Sequence, residues 1–300
     1  PQVPGTRGPV GVDMRGLDQS GFCSYDPGFA NTAGCQSAIS WIDTENSVLL
    51  HRGYPVDQLA RQCDFLEVAY IMLNGDAPDE ASYQTFRETI TRHTLVHEQI
   101  ARMCSGFRRD SHPMALMCAL VGALAAFYHD VLDVENPQHR ALAATRLLSK
   151  MPTIAAMSYK YTIEQPAAYP RNDLSYAGNF LQMLFAIPAE KYVLNPVIEQ
   201  AMNQILVLHA DHGQCASTTT VRAAGSSGAN LFACVAAGLG FQLAANNNVT
   251  ICIGLGTGIK RVRLIAQVAV GGQAGKVEPA QPSFAQIAIK GHLCVAGQHD

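Results

Sequence analysis

The stretch Leu206–Asn230, LVLHADHGQCASTTTVRAAGSSGAN, sets the frame for interpreting the rest of the chain. It continues an apolar run and holds His209, Asp211 and His212 within four residues. A helix that continued through this motif would place the two histidines about one turn apart on one face. Imidazoles at that spacing can bind a small anion or a metal. A histidine at a helix end also commonly caps the backbone or satisfies a buried carbonyl, and spacing alone leaves both interpretations open.

The composition predicts extensive burial. The 300 residues allow one large domain or two ordinary ones, and 48% of them are hydrophobic. Charged residues make up 15% of the chain, below the roughly 25% usual for soluble domains. A net charge of −3 gives no reason to expect nucleic acid or a membrane surface as a partner. The first residues lack the apolar core of a signal peptide, so we expect a cytoplasmic protein.

The nine cysteines are scattered without any C-x-x-C pair. Several, such as Cys118 and Cys234, stand in apolar surroundings. This distribution favours reduced, buried thiols over a disulfide framework, and it predicts no metal site.

Apolar periodicity predicts an all-α protein with a short β-rich entry. Apolar and polar residues alternate over 38–42, which predicts a strand. Residues 47–50 could pair with this strand across a polar turn. We expect a β-rich segment over 1–53, a helical core over 54–240 and a divergent, poorly ordered tail over 241–300. The expected helices are 56–60, 65–73 with a stop at Asn74-Gly75, one or two over 79–101, 113–127 buried on every side, 136–150, 151–161 opened by Pro152, 174–185, 196–208 and 229–238.

Six further stretches carry a family resemblance together with the histidine motif. They are HRGY (51–54), TRHTLVHEQI (91–100), FRRDSHPMA (107–115), FYHDVLDVENPQHR (127–140), RLLSKMPTIAAMSYKY (146–161) and YPRNDLSYAGNFL (169–181). With HADH, A-S-T-x-T, VR and GSSGAN they resemble citrate synthase from about residue 26 to 238. They are most similar to the bacterial hexameric branch that NADH inhibits. Gly213 and Cys215 depart from the pattern, since Glu and Asn are common there in the family.

The resemblance implies a citrate synthase-like large helical domain and an acyltransferase of the tricarboxylic acid cycle. Its substrates are acetyl-CoA and oxaloacetate, its products are citrate and CoA, and no cofactor is needed. His212 matches the family histidine that hydrogen-bonds oxaloacetate, with His209 as a second candidate. The partners implied are small-molecule substrates and further copies of the chain, as a dimer or hexamer. A 2-methylcitrate synthase is an alternative.

A second set of residues is cationic or aromatic and is spread over three predicted helices. On sequence alone, Arg92, His93, Tyr128, Arg146 and Lys150 are better explained as interface ion pairs and solvated faces than as a ligand site. The resemblance to citrate synthase instead favours a ligand site for these residues. In the NADH-inhibited branch, the allosteric NADH site is lined by the residues that match Arg92, His93, Thr94, Tyr128, Arg146, Lys150 and Asn172. Ala189 departs from the Cys that is frequent in that branch.

The tail over 239–300 does not match the family. Residues 241–300 hold five Lys and Arg against two Asp and Glu, a shift to positive charge. The motifs W-G-P-x-H-G-G-A-N and G-x-G-H, expected there, are absent. They carry the family's two catalytic histidines, and the catalytic aspartate lies further on, so no catalytic residue can be assigned and the small domain is missing or replaced. We therefore expect no turnover. The alternative to an enzyme is a non-catalytic fragment or relic that keeps oligomer contacts and NADH binding.

Overall fold

The structure is a computed structural model that describes residues 2–4, 10–26, 31–43, 45–211, 213 and 215–244. The expectations for the tail beyond Ala244, and for His212, lie outside the described residues.

Short antiparallel strands form the N-terminal part. β1 (Gln2–Val3) pairs with β2 (Gly11–Val12), and β3 (Ser40–Asp43), β4 (Val48–His51) and β5 (Tyr54–Pro55) form a three-stranded sheet in that order. Trp41 lies opposite Leu50 in this sheet. The Asp43 carboxylate accepts the backbone N–H groups of Glu45 and Asn46, each at 3.0 Å, and so shapes the β3–β4 turn. The predicted strand–turn–strand unit is confirmed.

Helices make up most of the described chain after the sheet. Short 3₁₀ turns at Asp18–Ser20, Cys104–Gly106, Leu124–Ala126 and His129–Val131 supplement them. The helices are α1 (Val56–Gln62), α2 (Phe65–Asn74), α3 (Glu80–Arg92), α4 (Glu98–Met103), α5 (Pro113–Ala123), α6 (Pro137–Thr162), α7 (Tyr176–Phe185), α8 (Pro196–Leu208), α9 (Ala216–Ser226) and α10 (Leu231–Ala244).

Side-chain caps and proline set the helix starts where the sequence signals predict them. Asp64 accepts the N–H of Glu67 at 2.9 Å at the start of α2, and Asn136 caps α6 just before Pro137. Gly75 ends α2 with a φ of 98°, a left-handed conformation that glycine adopts without steric cost. Predicted starts are therefore confirmed at α2, α5, α6 and α8, and predicted stops at α2 and α8.

The long helix α6 lies at the centre of the core. It packs against α3, α5, α7 and α10, while α8 packs against α1, α2 and α7, and α9 against α10. Leu147, Met151 and Ile154 of α6 are buried, as are Leu120 of α5 and Phe232 of α10. Burial of one continuous apolar cluster stabilises this helical layer arrangement. No helix within the described ranges is both long and apolar enough to cross a bilayer.

Three features differ from the sequence-based expectations. The two helices expected over 136–161 are one, because α6 continues through Pro152. Residues 216–226 form α9, a helix that was not among those expected from the sequence. Helix α5 is not fully buried all round: Cys118 and Gly122 are half-buried on the side that faces α10, where the Cys118 thiol donates to the Ala236 carbonyl at 3.1 Å.

Six cysteines of the described part are free thiols. Cys104 and Cys234 are buried, Cys118 is half-buried and Cys23 is exposed. Burial raises the pKa of the Cys104 and Cys234 thiols, and it raises the pKa of Cys63 to about 11. Buried thiols with raised pKa values are poor nucleophiles, which fits a packing role for them.

Candidate functional site

The histidine motif begins where α8 ends. His209 is the C-terminal cap of α8, with φ −110° and ψ 12°, and its Nδ1–H donates to the Ile205 carbonyl at 2.7 Å. A carbonyl only accepts, so this contact assigns the proton to Nδ1. Helix α8 stops at Leu208, the end expected from the sequence, so it does not continue through the histidine motif. The structure gives His209 the capping role that the sequence left open.

A tight turn follows. Asp211 accepts the N–H of Gly213 at 2.8 Å, and Gly213 has a φ of 73°. A side chain at that φ is strained, so the glycine that departs from the family pattern suits this backbone. His212 lies between these two residues in the chain and outside the described residues.

Helix α9 anchors the far end of the turn. The Thr218 hydroxyl donates to the Gly213 carbonyl at 3.3 Å, and Arg222 donates to the Gly34 carbonyl of the N-terminal segment at 2.7 Å. His212 precedes Cys215, the cap of α9, by three residues, a reach of at most about 11 Å. The start of a helix carries partial positive charge, which favours a nearby carboxylate ligand. The start of α9 at Cys215 would therefore favour a nearby anion.

The second set of predicted site residues meets around Tyr128. The Arg146 guanidinium carbon lies 4.5 Å from the centroid of the Tyr128 ring, and the Lys150 ammonium lies 5.4 Å from it. The Phe232 ring packs against Tyr128 with 6.0 Å between centroids. Arg146 and Lys150 are four residues apart on α6, so both project from one face of the helix. Their convergence concentrates positive charge at one aromatic ring.

Lys150 is buried and holds two backbone carbonyls. Lys150 is 3% exposed. Its Nζ donates to the carbonyls of His93 at 2.5 Å and Leu95 at 2.8 Å. Burial, with a smaller contribution from the charge of Arg146, lowers the pKa of Lys150 to about 8. Two of its three N–H donors are therefore committed to the segment after α3.

The end of α3 supplies three more of the predicted residues. His93 donates from Nδ1 to the Thr89 carbonyl at 2.7 Å, and the buried Thr94 accepts the Thr153 hydroxyl at its carbonyl at 2.8 Å. Arg92 points outward and pairs with Glu88 at 3.2 Å. An open groove of about 410 Å³ runs along this helix face, lined by Gln84, Thr85, Glu88, Thr89, Arg92 and His93.

The structure brings six of the seven predicted NADH-site residues into one region, and no contact ties Asn172 to them within the described part of the chain. Asn172 is exposed in the turn before α7, and no hydrogen bond among the described residues joins it to the other six. Sequence reasoning missed Asp130, whose two carboxylate oxygens accept Nη1 and Nη2 of Arg146, each at 2.8 Å. Its position two residues after Tyr128, in a stretch already carrying the resemblance, was the available signal. The hydrogen bond from Arg146 holds the pKa of Asp130 below its usual value.

Metal ligands do not cluster in the part of the chain that the structure describes. No group of three His, Cys, Asp or Glu side chains there is arranged to hold an ion.

Known proteins match most of this chain. The family model described as "Citrate synthase, C-terminal domain" matches residues 28–241. A citrate synthase structure from Pyrobaculum aerophilum is 26% identical, with TM-score 0.66 over 82% of this chain and 60% of its own length. One from Thermoplasma acidophilum, in a ternary complex with carboxymethyl coenzyme A and oxaloacetate, is 25% identical, with TM-score 0.66 over 72% of this chain and 55% of its own.

A third structure shares the fold. The citrate synthase from Thermotoga maritima is 24% identical, with TM-score 0.60 over 71% of this chain and 54% of its own length. The chain thus spans between about half and three fifths of the length of these structures. The predicted all-α, citrate synthase-like fold is confirmed. A match over well over half of its residues shows that the chain belongs to the citrate synthase family.

Proposed function

We propose that this chain is the large helical part of a citrate synthase, which joins acetyl-CoA and oxaloacetate with water to give citrate and CoA. The observation that carries the proposal is the family match over 28–241, which contains the whole histidine motif. The complex from Thermoplasma acidophilum, with a coenzyme A derivative and oxaloacetate bound, supports substrates of these two kinds.

Within this chain, we assign oxaloacetate binding to the turn between α8 and α9. His212 is the proposed hydrogen-bond donor, in the segment bounded by Asp211 and Gly213. Nδ1 of His209 donates to the Ile205 carbonyl of α8, so any contact of this second candidate with oxaloacetate would have to come from Nε2. The start of α9 adds favourable partial charge for a carboxylate.

The chain as written is proposed not to turn over. Its sequence contains no counterpart of the family's two catalytic histidines and aspartate. General acid–base groups each contribute roughly 10²–10⁴-fold to a rate, so the loss of three leaves no measurable reaction. The second candidate function is a non-catalytic role that keeps ligand binding and oligomer contacts. A 2-methylcitrate synthase, which prefers propionyl-CoA to acetyl-CoA, is a variant of the citrate synthase proposal.

Two measurements on the purified chain test this proposal. Calorimetric titration with oxaloacetate is expected to show saturable binding that His212→Ala abolishes and His209→Gln only weakens. A thiol-release assay with acetyl-CoA and oxaloacetate is expected to stay at background. CoA release well above background would contradict the catalytic part, and equal oxaloacetate titrations for the wild type and His212→Ala would contradict the binding part.

We also propose that the region around Tyr128 binds NADH as a regulator. The supporting observation is that Arg146 and Lys150 converge on the Tyr128 ring beside the end of α3. A guanidinium pairs well with phosphate oxygens, and a partly exposed ring can stack on a base. Titration of the oligomeric fraction with NADH, followed by nicotinamide fluorescence, tests this. The absence of a saturable signal at millimolar NADH would contradict it.

Assembly and location complete the proposal. The low charged fraction supports a homo-oligomer, a dimer or hexamer, with buried surface between copies. Sedimentation of the purified chain would measure its state directly. A cytoplasmic location stays a prediction.

A further inference from the structure

Asp130 covers Arg146 in the manner of a bound anion. Its two oxygens meet Nη1 and Nη2 end-on, at 2.8 Å each, which is the bidentate geometry that a phosphate group also uses. The side chain of Asp130 is 58% exposed, whereas that of Arg146 is 13% exposed. The carboxylate therefore lies on the solvent side of a guanidinium that is largely covered by its own protein.

The other contacts around Arg146 limit how it can bind a ligand. Its planar face lies over the Tyr128 ring, and Lys150 beside it is committed to the carbonyls of His93 and Leu95. The Nη1–Nη2 edge of Arg146 is one that a phosphate ligand approaching this cluster could use. That edge is the one that Asp130 occupies.

We infer that Asp130 is a built-in competitor for the phosphate groups of the nucleotide, and that it weakens nucleotide binding at this site. The inference rests on the proposed NADH site. A pyrophosphate must displace the carboxylate from Arg146 and then lie near its negative charge, and both steps cost binding energy. Because Arg146 holds the Asp130 carboxyl below its usual pKa, Asp130 stays ionised at neutral pH and the competition persists there.

Exposure makes this exchange feasible. An exposed carboxylate regains water when it leaves its partner, whereas a buried one would be stranded. Asp130 sits in the short 3₁₀ turn His129–Val131, outside the long helices, so its side chain can swing away without disturbing α6. The pair thus acts as a reversible cover on the cation.

The test compares Asp130→Asn with wild type, using the full chain. NADH is titrated by fluorescence and inorganic pyrophosphate by calorimetry. Removal of the charge is expected to tighten both by roughly three- to tenfold, the scale of a partly exposed charge-assisted pair. Asp110→Asn is the matched control, because Asp110 also forms a bidentate pair with an arginine, through Nε and Nη2 of Arg108 on an exposed loop. It should leave both titrations unchanged. Asp130→Glu, which keeps the charge, should stay near wild type.

The possible outcomes distinguish the proposed role of Asp130 from the proposed NADH site. If the wild type binds NADH and Asp130→Asn binds it equally well or more weakly, Asp130 is not a competitor. The proposed nucleotide site is then retained. Tighter pyrophosphate binding without NADH binding in any variant supports the competitor and overturns the dinucleotide proposal. Absence of binding of either probe to every variant overturns both.

Discussion

Tyr176 donates its phenol proton to the backbone carbonyl of Leu148, with 2.8 Å between the two oxygens. This carbonyl is the one that the residue at position 152 would normally satisfy in an α-helix, and Pro152 has no N–H to offer. Tyr176, at the start of α7, supplies the missing donor from a neighbouring helix. Burial raises the pKa of Tyr176 above its ordinary value, so the phenol remains a donor at any physiological pH.

We expect Tyr176→Phe to destabilise the fold by about 1–3 kcal/mol, the cost of a buried carbonyl left without a donor. The aromatic ring is kept, so its packing against the Phe65 ring, 5.1 Å away between centroids, is retained. Urea denaturation followed by circular dichroism measures the change in the free energy of unfolding.

A double-mutant cycle with Pro152→Ala isolates the cause. Alanine restores an N–H that can donate to the Leu148 carbonyl, so Tyr176→Phe should cost less in the Pro152→Ala background than in wild type. Equal costs in both backgrounds would show that the phenol stabilises the fold in some other way.

This contact also explains where prediction from the sequence failed. Met151-Pro152 was expected to open a new helix, because a proline is most favourable at a helix start. The compensating donor lies 24 positions further on, and local spacing carries no signal of it. The strand–turn–strand unit, the Asn74-Gly75 stop and the Pro196 start were predictable because their caps and turns are local.

Close approach of α9 and α10 predicts opposite outcomes for two nearby glycines. A Cβ at Gly238 would lie 2.7 Å from a Val221 methyl carbon and 3.2 Å from the Ser217 carbonyl oxygen. A Cβ at Gly240 would meet the Cys118 sulfur at an ordinary 3.7 Å. We expect Gly238→Ala to cost about 1–3 kcal/mol through overpacking, despite the gain in helix propensity. Gly240→Ala should be neutral or stabilise by up to about 1 kcal/mol. Thermal unfolding of both variants is the measurement, and equal midpoints would contradict the close approach.

The candidate sites, like the fold, were only partly predictable from the sequence. Which residues belong to the Tyr128 cluster could be inferred from the resemblance, and α6 spacing places Arg146 and Lys150 on one face. That Lys150 faces inward to the His93 carbonyl, and that Asp130 covers Arg146, depends on how three separate segments pack. The end of α8 at Leu208 agrees with the helix expected over 196–208, whereas the pattern of apolar residues carries no signal of the left-handed Gly213 in the turn that follows.

Arg146→Ala should weaken NADH binding about tenfold or more, because a charge-assisted hydrogen bond contributes about 1.5–3 kcal/mol. Tyr128→Leu should have a smaller effect, since it removes a ring face and keeps the charges. Arg108→Ala, which removes a cation from the exposed pair with Asp110, is the control for net charge. NADH fluorescence titrations of the three variants give the dissociation constants. Equal weakening by Arg146→Ala and Arg108→Ala would show a general charge effect and no specific site.

Lys150 should leave a signature in the pH dependence of stability. Its pKa is about 8 in the folded chain and 10.5 as an ordinary lysine, so between these values the unfolded chain binds more protons than the folded one. Stability from this group therefore rises with pH across that window, by up to roughly 1.4 kcal/mol per pH unit, and is flat below about pH 8. Lys150→Met removes the titration and keeps the length of the side chain. The difference in unfolding free energy, wild type minus Lys150→Met, should thus increase by up to about 2 kcal/mol from pH 8 to pH 10. Burial raises the pKa of the neighbouring Tyr128, which moves its own titration toward higher pH. Urea denaturation at half-unit pH steps measures both curves, and a constant difference would mean that the Lys150 ammonium, with its two carbonyl acceptors, keeps an ordinary pKa.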